Sequence, residues 1–151
     1  MFRIGIPVGG LPGIQDATAA ADTLPMAVLE PRAILIIDDE DAVREGLALL
    51  LEEWGYQAIA AASYHQAERL ARTLDLPPDL ILSDLHLGDG PDGLSAIEAV
   101  RLGCGCEVPA ILITGDTSPD ELRRATDSGY MVLFKPVQPR KLLAALRGSM
   151  A

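Results

Sequence analysis

At 151 residues, 49% of them hydrophobic, the chain is long enough for one domain with a substantial core and too short for two comfortable ones. Its 22 acidic against 12 basic residues give a formal net charge of −10, which repels a phosphate backbone and counts against nucleic-acid binding. No apolar run approaches the ~18 residues of a membrane span, and the N-terminus lacks the basic-then-apolar order of a signal peptide, so a soluble cytoplasmic protein without membrane contact is expected.

Residues 1–31 differ in character from the remainder. Phe2, Ile4, Ile6 and Val8 alternate with Arg3, Gly5 and Pro7 in a strand-like pattern that Gly9, Gly10, Pro12 and Gly13 end at once. The stretch from there to Pro31 is rich in Gly, Pro, Ala and Asp and reads as a linker or tail, with a helical turn around 16–21. A domain is expected over 32–151.

Ala33-Ile34-Leu35-Ile36-Ile37 is an uninterrupted apolar run, as expected for a strand buried on both faces of a parallel sheet, and it ends in Asp38-Asp39-Glu40-Asp41. Val43, Leu47, Leu50, Leu51 and Trp54 then recur at helical spacing, with Gly55 as the stop. A weaker strand over 56–61 precedes a helix that Ser63 and Gln66 open as a capping box and that runs to about Thr73. After Pro77-Pro78, Leu80-Ile81-Leu82 is too short for a helix and leads through Ser83 to Asp84, with Gly88, Gly90, Pro91 and Gly93 beyond. Asp92 is the candidate cap of a third helix to Leu102. Ala110-Ile111-Leu112-Ile113 forms a fourth strand ending in Thr114-Gly115-Asp116, and Ser118, Pro119 and Glu121 open a fourth helix that Gly129 closes. The segment 130–134 is a fifth strand ending in Lys135-Pro136, and a last helix runs from Pro139 to about Arg147. Cys104 and Cys106 lie in a loop-like Gly-Cys-Gly-Cys with no second ligand cluster, which counts against zinc or redox chemistry there.

Five strands alternating with five helices imply an open doubly wound α/β fold, and the flavodoxin-like order 2-1-3-4-5 suits five strands. That order makes the first and third strands neighbours, flanked by the fourth and fifth, and brings Asp38, Asp39, Asp84, Thr114 and Lys135 to one crevice at the carboxyl ends. Taken singly, each has an ordinary reading: an N-capping acid, a turn aspartate, a loop hydroxyl, a solvated lysine. Taken together, three carboxylates in one crevice call for a hard divalent cation, and Mg²⁺ suits them. Lys135 offers a charge for a phosphoryl oxygen, Thr114 a hydroxyl, Gly115 an open backbone N–H, and Asp84 a nucleophile.

With these residues in place, 32–148 resembles a response-regulator receiver domain of two-component signalling. The likeness rests on Asp38-Asp39 after the first strand, Asp84 after the third, Thr114 after the fourth and Lys135-Pro136 after the fifth, four ordered anchors that make a specific signal together. The resemblance implies that Asp84 accepts a phosphoryl group from a histidine of a partner kinase or phosphotransfer domain. It implies that Asp39, Asp84 and the main-chain carbonyl of His86 ligate Mg²⁺, with Asp38 acting directly or through water. Lys135 would pair with the phosphoryl group and precede a cis proline. Thr114 would turn inward on phosphorylation and bias the fourth helix, fifth strand and fifth helix, and a homodimer is allowed.

Three features depart from the family pattern. Val132 stands where an aromatic is usual, with Tyr130 two positions earlier on the same face. The loop after Asp84 is one residue longer, with Gly88 where proline is common. His86 and Asp116 occupy positions that often tune dephosphorylation. His65 is expected on the surface, and Ala48 and Leu49 off the buried stripe of the first helix, where receivers often dock their kinase.

A fainter resemblance links Phe2-Arg3-Ile4-Gly5-Ile6-Pro7 to the closing strand of a histidine-kinase ATP-binding domain. The wording Asp89-Gly90-Pro91-Asp92-Gly93 and Ile113-Thr114-Gly115-Asp116-Thr117 is similar to receivers at the C-termini of hybrid sensor kinases. Two alternatives stand beside the receiver. A haloacid-dehalogenase-type phosphatase would want an Asp where His86 stands and its acidic pair at the end of the chain; a phosphorylation-independent docking module would not need the intact acceptor, Thr114 and Lys135.

Overall fold

The computed structural model describes residues 32–150. The strand-like start and linker expected over 1–31 lie outside the described residues. Ten elements alternate in chain order: β1 (Ala33–Ile37), α1 (Asp41–Glu53), β2 (Gln57–Ala61), α2 (Tyr64–Thr73), β3 (Leu80–Asp84), α3 (Gly93–Cys104), β4 (Ala110–Thr114), α4 (Pro119–Asp127), β5 (Met131–Phe134) and α5 (Pro139–Met150). The strands form a parallel sheet, as the alternation predicts, in the flavodoxin-like order β2-β1-β3-β4-β5 that suits five strands.

Burial follows the sheet geometry. All of β3 and β4, and β1 after its first residue, are buried, because helices cover both faces of the central strands. Side chains alternate between the faces with period two. Leu35, Ile37, Ile81 and Leu112 join Ala67, Ala71, Ile97, Val100 and Ala125 of α2, α3 and α4 in one cluster. Ile34, Ile36, Leu80, Leu82, Ile111 and Ile113 join Leu47, Leu51, Leu142 and Leu146 of α1 and α5 in the other. The edge strands β2 and β5 expose residues such as Gln57, Met131 and Phe134, which accounts for their weaker apolar runs.

The register sets the crevice. Ile37 pairs with Ser83, Asp84 with Ile113, and Thr114 with Phe134. The carboxyl ends of β1, β3, β4 and β5 are therefore level, and the residue at or just after each end is Asp38, Asp84, Thr114 or Lys135.

Local chemistry agrees with expectation at two helix starts and departs from it at a third. Ser63 Oγ accepts from the Gln66 N–H at 3.1 Å, while the Gln66 side chain reaches back to the Ala62 N–H, so the box closes one residue early. Asp92 caps α3 by accepting from the Ser95 N–H at 2.9 Å. Ser118 makes no side-chain cap; its N–H donates to Asp116 Oδ1 at 2.8 Å, and the Glu121 carboxylate expected to close a box is engaged by His86 and Arg124 instead. Cys104 is not in a loop but in the last turn of α3, half-buried with its thiol toward the Ala71 carbonyl, and left-handed Gly105 ends the helix. Ala48 is not off the buried stripe but packs partly against the core, whereas Leu49 is exposed, as is His65.

Asp92 also pairs with Arg124 of α4. Burial, the largest influence, pushes its carboxyl up, yet the Ser95 N–H and the Arg124 guanidinium together outweigh it and hold it below the ordinary value of 3.8. Because the folded pKa is depressed, the stabilisation is present above that ordinary value and is lost as pH falls through the lower folded one. Asp92→Ala should cost about 0.5–2 kcal/mol at neutral pH, as for other lost caps. In urea titrations the gap between wild type and variant should close as the pH falls below about 4.

Candidate functional site

Asp84 is the last residue of β3 and is buried. Its Oδ1 accepts from the His86 N–H at 3.2 Å and its Oδ2 from Lys135 Nζ at 2.8 Å. Asp38, immediately after β1, is 1% exposed, and its Oδ1 accepts from the Glu40 N–H at 2.8 Å in a local turn. Its Oδ2 is buried and makes no hydrogen bond among the described residues; Lys135 Nζ stands 3.4 Å away, an ion pair without hydrogen-bond geometry. Asp39 is exposed, and one carboxylate oxygen each from Asp38, Asp39 and Asp84 lie within 4.8 Å of one another.

Lys135, just after β5, reaches back across the strand ends to bind Glu40 Oε1 at 2.8 Å as well as Asp84. Burial, the largest single influence, pulls its ammonium down. The hydrogen bonds to Asp84 and Glu40, with the charges of Asp84 and Asp38, more than reverse that and hold its pKa raised. For Asp38 the balance is opposite: burial above all, with the Asp84 charge, raises its carboxyl against the Glu40 N–H and Lys135. One ammonium thus faces several carboxylates. The excess negative charge, the unbonded buried oxygen and the all-oxygen donor set fit a hard divalent cation.

Thr114 ends β4 and is fully buried. Its carbonyl accepts from the Lys135 N–H at 2.9 Å, which fixes the lysine backbone beside it, and its hydroxyl accepts from the Asp116 N–H at 3.1 Å. The hydroxyl is therefore held by its own loop rather than by the acidic group. The Lys135–Pro136 bond is cis, as the resemblance implies. Val132 is half-buried against the α2/α3 core cluster, and Tyr130 packs on the same cluster with the Arg101 guanidinium 5.2 Å above its ring. The His86 side chain turns away from Asp84, its Nε2 lying 3.1 Å from Glu121 Oε1 and 3.6 Å from Asp116 Oδ2.

Three contributors escape a reading of the sequence. Glu40 looks like one more capping acid in an acidic run, yet it shares Lys135 with Asp84. Arg44 looks like a solvated helix residue, yet its guanidinium donates to the Asp38 carbonyl at 2.7 Å. Gly93 reads only as the first residue after the Asp92 cap, yet a Cβ there would collide with the Asp84 carbonyl oxygen. Only glycine lets α3 start so close to the end of β3.

The family model described as response regulator receiver domain matches residues 34–147. The phosphate regulon transcriptional regulatory protein PhoB of Pseudomonas aeruginosa is 35% identical over 121 residues, covering 77% of this chain and 50% of that protein. The transcriptional regulatory protein PdtaR of Mycobacterium tuberculosis is 34% identical over 120 residues, covering 77% and 55%. The chain thus spans about half the length of the curated relatives it matches. Among solved structures, a CheY-like response regulator receiver domain protein from Methanospirillum hungatei superposes with a TM-score of 0.67 at 27% identity, covering 80% of this chain and 94% of that one.

Gly93→Ala should destabilise the fold by about 1–3 kcal/mol, the usual cost of overpacking, because the contact is with backbone that has little room to yield. Urea denaturation measures the loss, and amide NMR shifts should change at Asp84 and His86 more than at the sheet edge.

Proposed function

Since the chain belongs to the response-regulator receiver-domain family, we propose that Asp84 is its phosphoryl acceptor, taking the group from a phosphohistidine of a partner histidine kinase or histidine phosphotransfer domain. The observation that carries this is the Asp84 carboxylate bound at 2.8 Å by the Lys135 ammonium, within an acidic group whose buried Asp38 oxygen lacks a hydrogen bond. Asp38, Asp39, Asp84 and the His86 main-chain carbonyl would hold Mg²⁺, which when bound neutralises charge on the phosphoryl oxygens.

An Asp84 carboxylate oxygen attacks phosphorus in line as the bond from phosphorus to the donor imidazole nitrogen breaks, and the imidazole leaves with that electron pair. Lys135 keeps one hydrogen bond to the site throughout and shifts its charge toward a phosphoryl oxygen. The Thr114 hydroxyl exchanges the Asp116 N–H for the phosphoryl group, and the change biases α4, β5 and α5. The phosphatase alternative finds no support: His86 occupies the place of its second aspartate, and the acidic pair follows the first strand. A docking role alone leaves the arrangement of Asp38, Asp84 and Lys135 without a purpose.

We further infer, from the similarity of residues 2–7 to a kinase closing strand, that the chain is the C-terminal receiver of a hybrid sensor histidine kinase, working in the cytoplasm. An open reading frame that continues upstream into a kinase catalytic domain would support this; a stop codon directly upstream would refute it.

Incubation with Mg²⁺ and a small-molecule phosphodonor, followed by intact mass, should show one added phosphoryl group that is absent in Asp84→Asn and in the presence of EDTA. Unmodified wild-type chain under every donor would overturn the proposal. Asp39→Asn should weaken Mg²⁺ binding by roughly tenfold or more, measured by calorimetry, since even outer-shell partners of a metal are worth that much.

A further inference from the structure

Helix α4 is fastened to the loop that follows Asp84 at both ends of that loop. At its start, His86 Nε2 contacts Glu121 at 3.1 Å. At its far end, Asp92 pairs with Arg124. The two ties share a centre, because Arg124 Nη1 also holds Glu121 at 3.0 Å on the same face of the helix. The Glu121 side chain is 15% exposed, whereas that of Asp120 beside it is 91% exposed. Glu121 and Asp92 are sheltered whereas His86 and Arg124 are about half exposed, so what sets these contacts apart from an isolated surface pair is their linkage into one network across three segments.

His86 links this network to the acceptor. Its main-chain N–H donates to Asp84 Oδ1 while its imidazole holds Glu121. A phosphoryl group on Asp84 changes the charge and position of the oxygens that this N–H faces, so the start of the loop must adjust. Asp116, whose N–H holds the Thr114 hydroxyl, also faces the imidazole at 3.6 Å, which gathers the loop between β4 and α4 into the same network. On β5, by contrast, Val132 is a small side chain packed against the core where an aromatic would couple to Thr114.

We propose that α4 reads the state of Asp84 through His86 and Asp92, with Glu121 and Arg124 as positioning residues that carry a change in the acceptor loop into the helix. This rests on Asp84 being the acceptor. A purely structural role for the same contacts would hold α4 in place equally in both states. The two roles differ in the phosphorylation-dependent change of α4, not in its stability.

Hydrogen–deuterium exchange over 119–127, with and without a small-molecule phosphodonor and Mg²⁺, reads that change, and intact mass on the same samples reads phosphate uptake. Arg123→Ala is the control: it removes the same charge from the same helix, but Arg123 is 68% exposed and pairs with Asp120 at 3.4 Å. In wild type and Arg123→Ala, exchange should differ between the two states by roughly fivefold or more, the low end of ordinary coupling between sites. In Glu121→Ala and Arg124→Ala the difference should fall below roughly twofold with phosphate uptake intact, and Arg124→Lys should restore part of it. His86→Ala leaves the sequence of α4 untouched and should bring the difference below roughly twofold even if the helix variants melt, the remainder being what Thr114 and its loop carry. A full difference in His86→Ala, or in both helix variants, would overturn the proposal, as would a phosphorylated wild type with unchanged exchange. A wild type that takes up no phosphate would overturn the acceptor reading and this route with it.

Discussion

The Lys135 ammonium is the contact on which the site depends. It is held by Asp84 and Glu40 at 2.8 Å and lies 3.4 Å from Asp38, three carboxylates carried by the end of β3, the start of α1 and the end of β1. In the partly buried setting at the strand ends, like charges this close would repel strongly, and at least one would give up its charge without compensation. A single cation reaching across the strand ends lets the carboxylates remain together. It can do so only because β5 ends level with β4, and β4 with β3, so that the residue after β5 emerges beside the crevice. Parallel register is thus part of the chemistry, and one residue of slip would carry the Lys135 side chain to the opposite face.

Compensation by one lysine is incomplete, and that incompleteness bears on function. The buried Asp38 oxygen faces the ammonium without a hydrogen bond, and the Asp38 carboxyl is raised by burial and by the Asp84 charge. A site fully satisfied by its own side chains would gain nothing from a cation or a phosphoryl dianion. This one retains unspent acceptor capacity at the buried Asp38 oxygen, beside an ammonium shared between Asp84 and Glu40.

The central strands and the four anchors at their ends are legible because each rests on a pattern local in sequence, whereas the strand order rests on the few arrangements open to five alternating strands. An apolar run closed by Asp84 or by Asp38-Asp39 states both the strand and its end, and alternation with helices states the parallel sheet. What was not legible depends on partners distant along the chain. Glu40 is one acid among four until Lys135, 95 residues on, selects it. Gly93 is one glycine of several until the start of α3 is seen against the Asp84 carbonyl. The Ser118 cap failed for a related reason: its local partner, Glu121, is claimed by His86 from another loop, and local propensity yields to that contact. The glycines that flank Cys104 point to a loop, but Gly103 fits inside α3 through its close approach to Ala71 of α2.

The ties to α4 follow from where the loop after Asp84 begins and ends. Its first residues are bound to β4 by the Leu85 N–H on the Ile113 carbonyl, and to α3 by the Gly93 N–H on the Leu85 carbonyl. Those two hydrogen bonds hold both peptide groups of Leu85, between Asp84 and His86, so the backbone directly after the carboxylate has little room to absorb a change. The freedom that remains lies in the main chain at His86 and in the glycine-containing span beyond it, where Gly88 already takes a left-handed conformation. That span ends at Asp92, which both caps α3 and holds Arg124. A displacement confined to 86–92 therefore meets α4 at each boundary, through His86 on one side and Asp92 on the other. With the small Val132 on β5, the contacts of His86 and Asp92 are the shorter chain of polar contacts between Asp84 and the helix, and the proposed route rests on them.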